Sequence, residues 1–247
     1  MAQKGNTNRK HGGKHSQNMR KTGLQGAFSS DSAKSLSLWS SMMSIVMIIG
    51  TLILLVQVLK ERFDIWVLLL ALPSSAAWII STIGAYKIQE INKPDQVDVG
   101  SKLFVVLPAY FAVGYLIVGL AVCVMYIKAM VDYGFEAFYV ILILIAAAVG
   151  TVLAWSFYRV VRYVLFVTGR LLGQRGEYRT APTKSMLAFG IVVDSLCTIS
   201  VIALMALNAI SIGAVLLMFT ISQILLMYFI ALYGFLKATY EMLPKEK

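Results

Sequence analysis

Six stretches of this chain are apolar for about 20 residues or more, over 36–59, 65–86, 103–127, 138–158, 186–208 and 211–236. An α-helix rises about 1.5 Å per residue, so each stretch can cross a hydrocarbon layer about 30 Å thick. Inside such a layer no water reaches the backbone N–H and C=O groups, and only helices and closed barrels satisfy them internally. Barrel strands alternate polar with apolar residues, whereas these runs are apolar throughout, so helix is the expected state. The rest of the chain could not hide them from water. Hydrophobic residues make up 59% of the sequence and charged residues 14%, against about 45–50% and about 25% in a soluble domain.

Charge placement sets the threading. With the N-terminus inside, 19 of the 22 Lys and Arg fall on inside segments, and only Lys60, Arg62 and Lys128 lie outside. The inverted arrangement would reverse that split, so the positive-inside rule favours both termini inside. The outside connections, near 60–64, 128–137 and 208–211, are short, which makes the helices they join antiparallel neighbours. Trp39, Trp155, Phe157 and Tyr158 sit near the ends of runs, where amphipathic rings favour the water–lipid boundary. The expected fold is an all-α integral membrane protein. It has six transmembrane helices arranged as three antiparallel hairpins, passes repeatedly through the cell membrane, and keeps its N- and C-termini cytoplasmic. Residues 1–34 carry seven Lys and Arg against the single acid Asp31 and little apolar surface, so they read as a disordered basic tail. Residues 35–237 form the six-helix domain and 238–247 a short cytoplasmic tail. The hairpins open at Lys34, Lys102 and Lys184 and close at Lys87, Arg159 and Lys237, spacings of 53, 57 and 53 residues. Either a repeated two-helix unit or three hairpins obeying one charge rule gives that pattern.

Asp194 is the one carboxylate or basic side chain well inside a run. At a helix centre an acid costs about 2.5–3.5 kcal/mol on insertion scales, and such residues face a bundle interior or a water-filled path. Gly190, Cys197 and Thr198 share its helix face at i−4, i+3 and i+4. Asp194 lies 14 residues before Asn208 and Gln223 lies 12 residues after Ser211, which places them about 21 Å and about 18 Å from the same side. Asp194 is therefore expected to hydrogen-bond across the last hairpin to Gln223, Thr220 or Ser222. With Thr198, these residues form a candidate intramembrane polar site, or simply an interhelical contact contributing about 0.6 kcal/mol.

Pro73 falls inside the second run, where loss of an amide donor predicts a kink whose freed carbonyls Ser74 and Ser75 could satisfy. Ala146, Gly150 and Ala154, four apart in the fourth run, predict a close helix–helix contact, within the bundle or between subunits. After that run come Arg159, Arg162, Arg170, Arg175, Arg179 and Lys184 against Glu177 alone. The five arginines are candidate contacts for anionic lipid headgroups, each gaining about 1 kcal/mol beside an acidic bilayer surface. Residues 159–172 either extend the fourth run or lie along the interface. Residues 169–176 read as a turn; their glycine spacing lacks the Gly-Lys-Ser/Thr ending of a phosphate-binding loop.

No H-E-x-x-H or G-x-S-x-G signature occurs. His11 and His15 lie in the polar tail around Gly12-Gly13, and Cys123 and Cys197 lie in apolar runs with no second ligand at a metal-binding spacing. No metal or cofactor is expected. Nucleic acid is disfavoured as a partner, because the basic tail lacks interleaved aromatic residues for stacking. The expected partners are the bilayer, anionic headgroups and other membrane subunits. Three functions follow, in order: a non-catalytic subunit or scaffold of a membrane complex, a small transporter or channel using Asp194, and a lipid-acting membrane enzyme.

Overall fold

Where apolar runs meet good capping residues, helices start and stop as the local chemistry directs. The structure, a computed structural model, describes residues 26–60, 65–90, 93–134, 137–174, 176–206 and 212–243. Its elements are α1 (Asp31–Leu59), α2 (Ile65–Ile88), α3 (Pro94–Phe104), α4 (Val106–Tyr133), α5 (Ala137–Leu171), α6 (Thr183–Ala206) and α7 (Ile212–Glu241), with no strand among the described residues. Ser30 caps α1 by accepting the Ala33 amide at 3.4 Å, and Asp31 in the first turn opposes the positive end of the helix dipole. Pro94 opens α3 at a position where its missing N–H has no intrahelical partner to lose. Gly134 (φ 98°) and Gly173 (φ 85°) follow the ends of α4 and α5 in a backbone region that residues with a Cβ avoid.

Five segments among the described residues are long and apolar enough to cross a membrane: Gly26–Leu59, Asp95–Tyr133, Ala137–Leu171, Thr183–Ala206 and Val215–Glu241. The second apolar run forms α2, a 24-residue helix.

Consecutive helices pack along one another, α1 with α2, α4 with α5 and α6 with α7. Helix α7 also packs against α1, and α3 lies against α2 and α5. The core is concentrated at the end of the bundle that carries most of the lysines and arginines, here the basic end. In α1 burial stops at Ser44, and in α4 it is confined to Leu107, Pro108 and Ala112. Beyond that level Leu52, Ile117, Leu144, Ile202 and Leu216 are exposed, a surface suited to lipid rather than water. At mid-level a cluster of rings joins five helices. Phe157 of α5 lies 5.1 Å from Phe111, 5.8 Å from Tyr115 and 5.0 Å from Phe189, Phe189 lies 4.9 Å from Phe229, and Trp78 lies 4.8 Å from Tyr228. Each such pair adds about 0.5–1.5 kcal/mol beyond its buried area.

Helices α1 and α2 are joined by hydroxyls. Thr82 Oγ1 lies 2.7 Å from Ser40 Oγ and 2.8 Å from Ser44 Oγ, and Ser75 Oγ lies 2.6 Å from Thr51 Oγ1. Ser75 also donates to the Met47 carbonyl at 3.2 Å. Its hydroxyl therefore crosses to α1 instead of bonding a carbonyl of its own helix, which runs on through Pro73.

One expectation changes and two open points are filled in. Residues 1–25 of the anticipated tail lie outside the described residues, as do 61–64, 207–211 and 244–247. Residues 26–34, assigned to that tail, are instead largely helical and packed, with Phe28 fully buried and edge-on to Phe235 at 5.5 Å. The segment before the third run, given no structure from the sequence, carries a helix of its own. Residues 94–104 form α3, whose Val97, Ser101 and Phe104 are buried while Val99 and Lys102 are exposed. Of the two alternatives for 159–172 the first is the one seen: the fourth run extends as a single helix to Leu171, and its 35 residues measure about 52 Å, well beyond a hydrocarbon core.

Candidate functional site

Two groups of polar side chains stand out. The first is on α6 and α7. Asp194 is half-buried, and its Oδ1 accepts hydrogen bonds from Ser222 Oγ at 2.5 Å and from Gln223 Nε2 at 3.1 Å, both on α7. Thr220 does not join them. It is exposed and donates to the Leu216 carbonyl of its own helix at 2.8 Å. Thr198 is half-buried one turn along α6, outside this pair of bonds. One turn the other way, Gly190 admits Phe229, whose Cβ would stand 2.6 Å from a Cβ placed on the glycine. The two helices thus meet through one polar clasp and one close apolar contact.

Gly150 of the small-residue stripe is likewise turned inward. A Cβ there would lie 3.1 Å from the Tyr115 carbonyl oxygen and 3.2 Å from Gly119 Cα, so it serves the α4–α5 crossing within the chain. Ala154 is buried and Ala146 half-buried on the same helix. Pro73 is exposed on α2.

The second group lies at the basic end, where Gly173 turns the chain back along the last turns of α5. The returning segment, 176–182, leaves two adjoining grooves against the helix. One, of about 440 Å³, is lined by Trp155, Tyr158, Arg159, Arg162, Tyr178, Arg179 and Thr180. The other, of about 400 Å³, shares Arg162 and Arg179 and adds Arg170, Phe166, Gln174 and Glu177. Arg159 donates to Thr180 Oγ1 at 3.3 Å and Arg170 donates to the Gly176 carbonyl at 2.8 Å. Arg162 lies over the Tyr158 ring at 5.6 Å and Arg170 over the Phe166 ring at 5.4 Å. Arg179 pairs with Glu177 at 3.4 Å, and Glu177 is almost fully exposed. Four of the five predicted arginines therefore surround one connected surface, and Arg175 lies outside the described residues.

Sequence reasoning missed Tyr178 and Thr180 as members of this group, since their approach depends on the chain reversal at Gly173. A partial signal did exist: 155, 158, 159 and 162 follow the i, i+3, i+4, i+7 spacing that puts ring and guanidinium on one helix face. Chemically, guanidinium forks bind the oxygens of phosphate or carboxylate in pairs. No group of three or more His, Cys, Asp or Glu side chains able to hold a metal is present among the described residues.

Together the apolar helices and their exposed greasy flanks define an all-helical chain of the polytopic membrane class. Comparison with family models, with curated proteins and with solved structures found no match for this chain.

Proposed function

We propose that the protein is a six-span membrane protein with both termini in the cytoplasm, acting without catalysis as a subunit or scaffold of a complex in the cell membrane. The observation that carries this reading is the use made of Asp194. Its Oδ1 takes one donor from Ser222 and one from Gln223, both on the neighbouring helix, so the in-span carboxylate works as a clasp between α6 and α7. The hydroxyls of α1 and α2 are likewise engaged with one another. The 19-to-3 division of basic residues supports the orientation, and α2 is long enough, at about 36 Å, to supply the sixth span.

The test is Asp194→Asn in the full chain. Asn keeps an acceptor for Ser222 and Gln223 while removing the titratable charge. The scaffold reading expects a folded protein that retains its stoichiometric membrane partners through purification in mild detergent. A folded Asp194→Asn protein that lost a proton- or ion-driven flux in proteoliposomes would overturn it in favour of transport.

A further inference from the structure

We infer that the groove formed by Arg159, Arg162 and Arg179 binds the phosphate of an anionic phospholipid from the cytoplasmic leaflet. This rests on the membrane placement proposed above, which puts the basic end of the bundle at that leaflet.

The groove is graded along α5. Val152, Trp155 and Tyr158 are all exposed at its upper end. Arg159 and Arg162 follow on the same side of the helix, so about 6 Å of helix passes from Tyr158 to Arg162. That matches the headgroup layer, which adds about 5–7 Å on each side of the hydrocarbon. A ring surface beside acyl chains with cations one to two turns lower is the order in which a phospholipid presents tail and phosphate. Tyr178 and Thr180 close the far wall, and Thr180 Oγ1 already holds Arg159 at 3.3 Å.

Charge selects the ligand. Arg162, held over the Tyr158 ring, keeps its in-plane N–H donors for an anion. Among the described residues neither Arg159 nor Arg162 has an ion-pair partner. Arg179 has one, Glu177, at 3.4 Å, but that carboxylate is 88% exposed and the pair is weakly held. An incoming phosphate offers Arg179 a stronger acceptor and leaves Glu177 to water. A zwitterionic headgroup would bring its own ammonium against three guanidiniums, so net negative charge is required. An unattached phosphate would use the same arginines but gain nothing from Trp155 and Tyr158.

The test uses the full chain in a neutral maltoside detergent, where orientation plays no part, so it can fail while the proposed topology stands. Short-chain phosphatidylglycerol, phosphatidylcholine of the same chain length and inorganic phosphate are titrated separately, with binding read by native mass spectrometry and by the thermal unfolding midpoint. Phosphatidylglycerol is expected to bind at least about tenfold more tightly than phosphatidylcholine, a difference of about 1.4 kcal/mol. Arg162→Gln with Arg179→Gln should remove that preference, while Arg162→Lys with Arg179→Lys should keep part of it, since charge remains but the fork is lost. Trp155→Ala should weaken phosphatidylglycerol and leave phosphate unchanged. Equal binding of the two lipids by the unaltered protein overturns the inference, as does a folded Gln variant with its preference intact. Inorganic phosphate competing as well as phosphatidylglycerol would make this a free-anion site and overturn the lipid assignment.

Discussion

Gly84 of α2 and Gly100 of α3 meet backbone to backbone. A Cβ on Gly84 would overlap the Phe104 amide nitrogen and stand 2.7 Å from the Gly100 carbonyl oxygen, and a Cβ on Gly100 would stand 2.7 Å from the Ile88 nitrogen. Neither obstacle is a side chain that could swing aside. Gly84→Ala should therefore force α2 and α3 apart and cost about 1–3 kcal/mol or more, as overpacking does elsewhere. Gly50, also within a helix, has nothing within 4 Å of its Cβ position. Gly50→Ala should be neutral or stabilising by up to about 1 kcal/mol, the ordinary helix-propensity gain. The opposite signs are readable as shifts in the thermal midpoint of the detergent-solubilised protein.

The clasp at Asp194 makes a second prediction. A double-mutant cycle on Asp194→Ala and Ser222→Ala isolates their coupling from the side effects of each change. Interhelical hydrogen bonds in membranes average about 0.6 kcal/mol, with about 1.7 kcal/mol as the upper end. The 2.5 Å separation and the second donor from Gln223 place this pair toward that upper end. A coupling within error of zero, measured by mixed-micelle unfolding, would show that the bond contributes nothing to stability.

How much of this was open to inspection in the residues differs from feature to feature. The helices themselves were, because long apolar runs leave the backbone few alternatives. The proximity of Asp194 to Ser222 and Gln223 could be found by counting depth from a short connection, since helix rise is constant. Depth alone could not exclude Thr220, whose hydroxyl turns to the Leu216 carbonyl of its own helix. Helix α3 was hidden because Asp95, Asp98 and Lys102 make its average composition polar, although Val97 and Phe104 are buried. The packing of Phe28 into the basic end was masked by the cations that precede it. The α5 side of the arginine groove was legible in the spacing of 155, 158, 159 and 162, but its Tyr178 and Thr180 wall required the path of the chain after Gly173, a non-local property.

The hydroxyl junction between α1 and α2 gives a third prediction through an asymmetry. Thr82→Val keeps the shape of the side chain but removes the shared partner of Ser40 and Ser44, both buried. Leaving buried hydroxyls without their partner costs about 1–3 kcal/mol, whereas removing all members together can be nearly neutral. Thr82→Val should therefore lower stability more than the triple change Ser40→Ala, Ser44→Ala and Thr82→Val. Equal losses in the two proteins would show that the serines find other acceptors, such as carbonyls one turn back.

The last prediction concerns the number of crossings, and α2 decides it. Lys60, Lys102, Lys128 and Lys184 are all exposed, and they flank α2, α4 and α5 in turn. In a background carrying Cys123→Ala and Cys197→Ala, single substitutions Lys60→Cys, Lys102→Cys, Lys128→Cys and Lys184→Cys each place one thiol at a known point on the chain. With six spans and the N-terminus inside, a membrane-impermeant maleimide added to sealed cells should modify the proteins carrying Lys60→Cys and Lys128→Cys. Lys102→Cys and Lys184→Cys should react only after permeabilisation. The positions test the spans separately, because two flanking thiols differ in access only when the helix between them crosses. If Lys60→Cys and Lys102→Cys behaved alike, α2 would not cross. Its Pro73 and row of hydroxyls would then belong to a helix seated at the surface, and the even count of spans that holds both termini on one side would be lost.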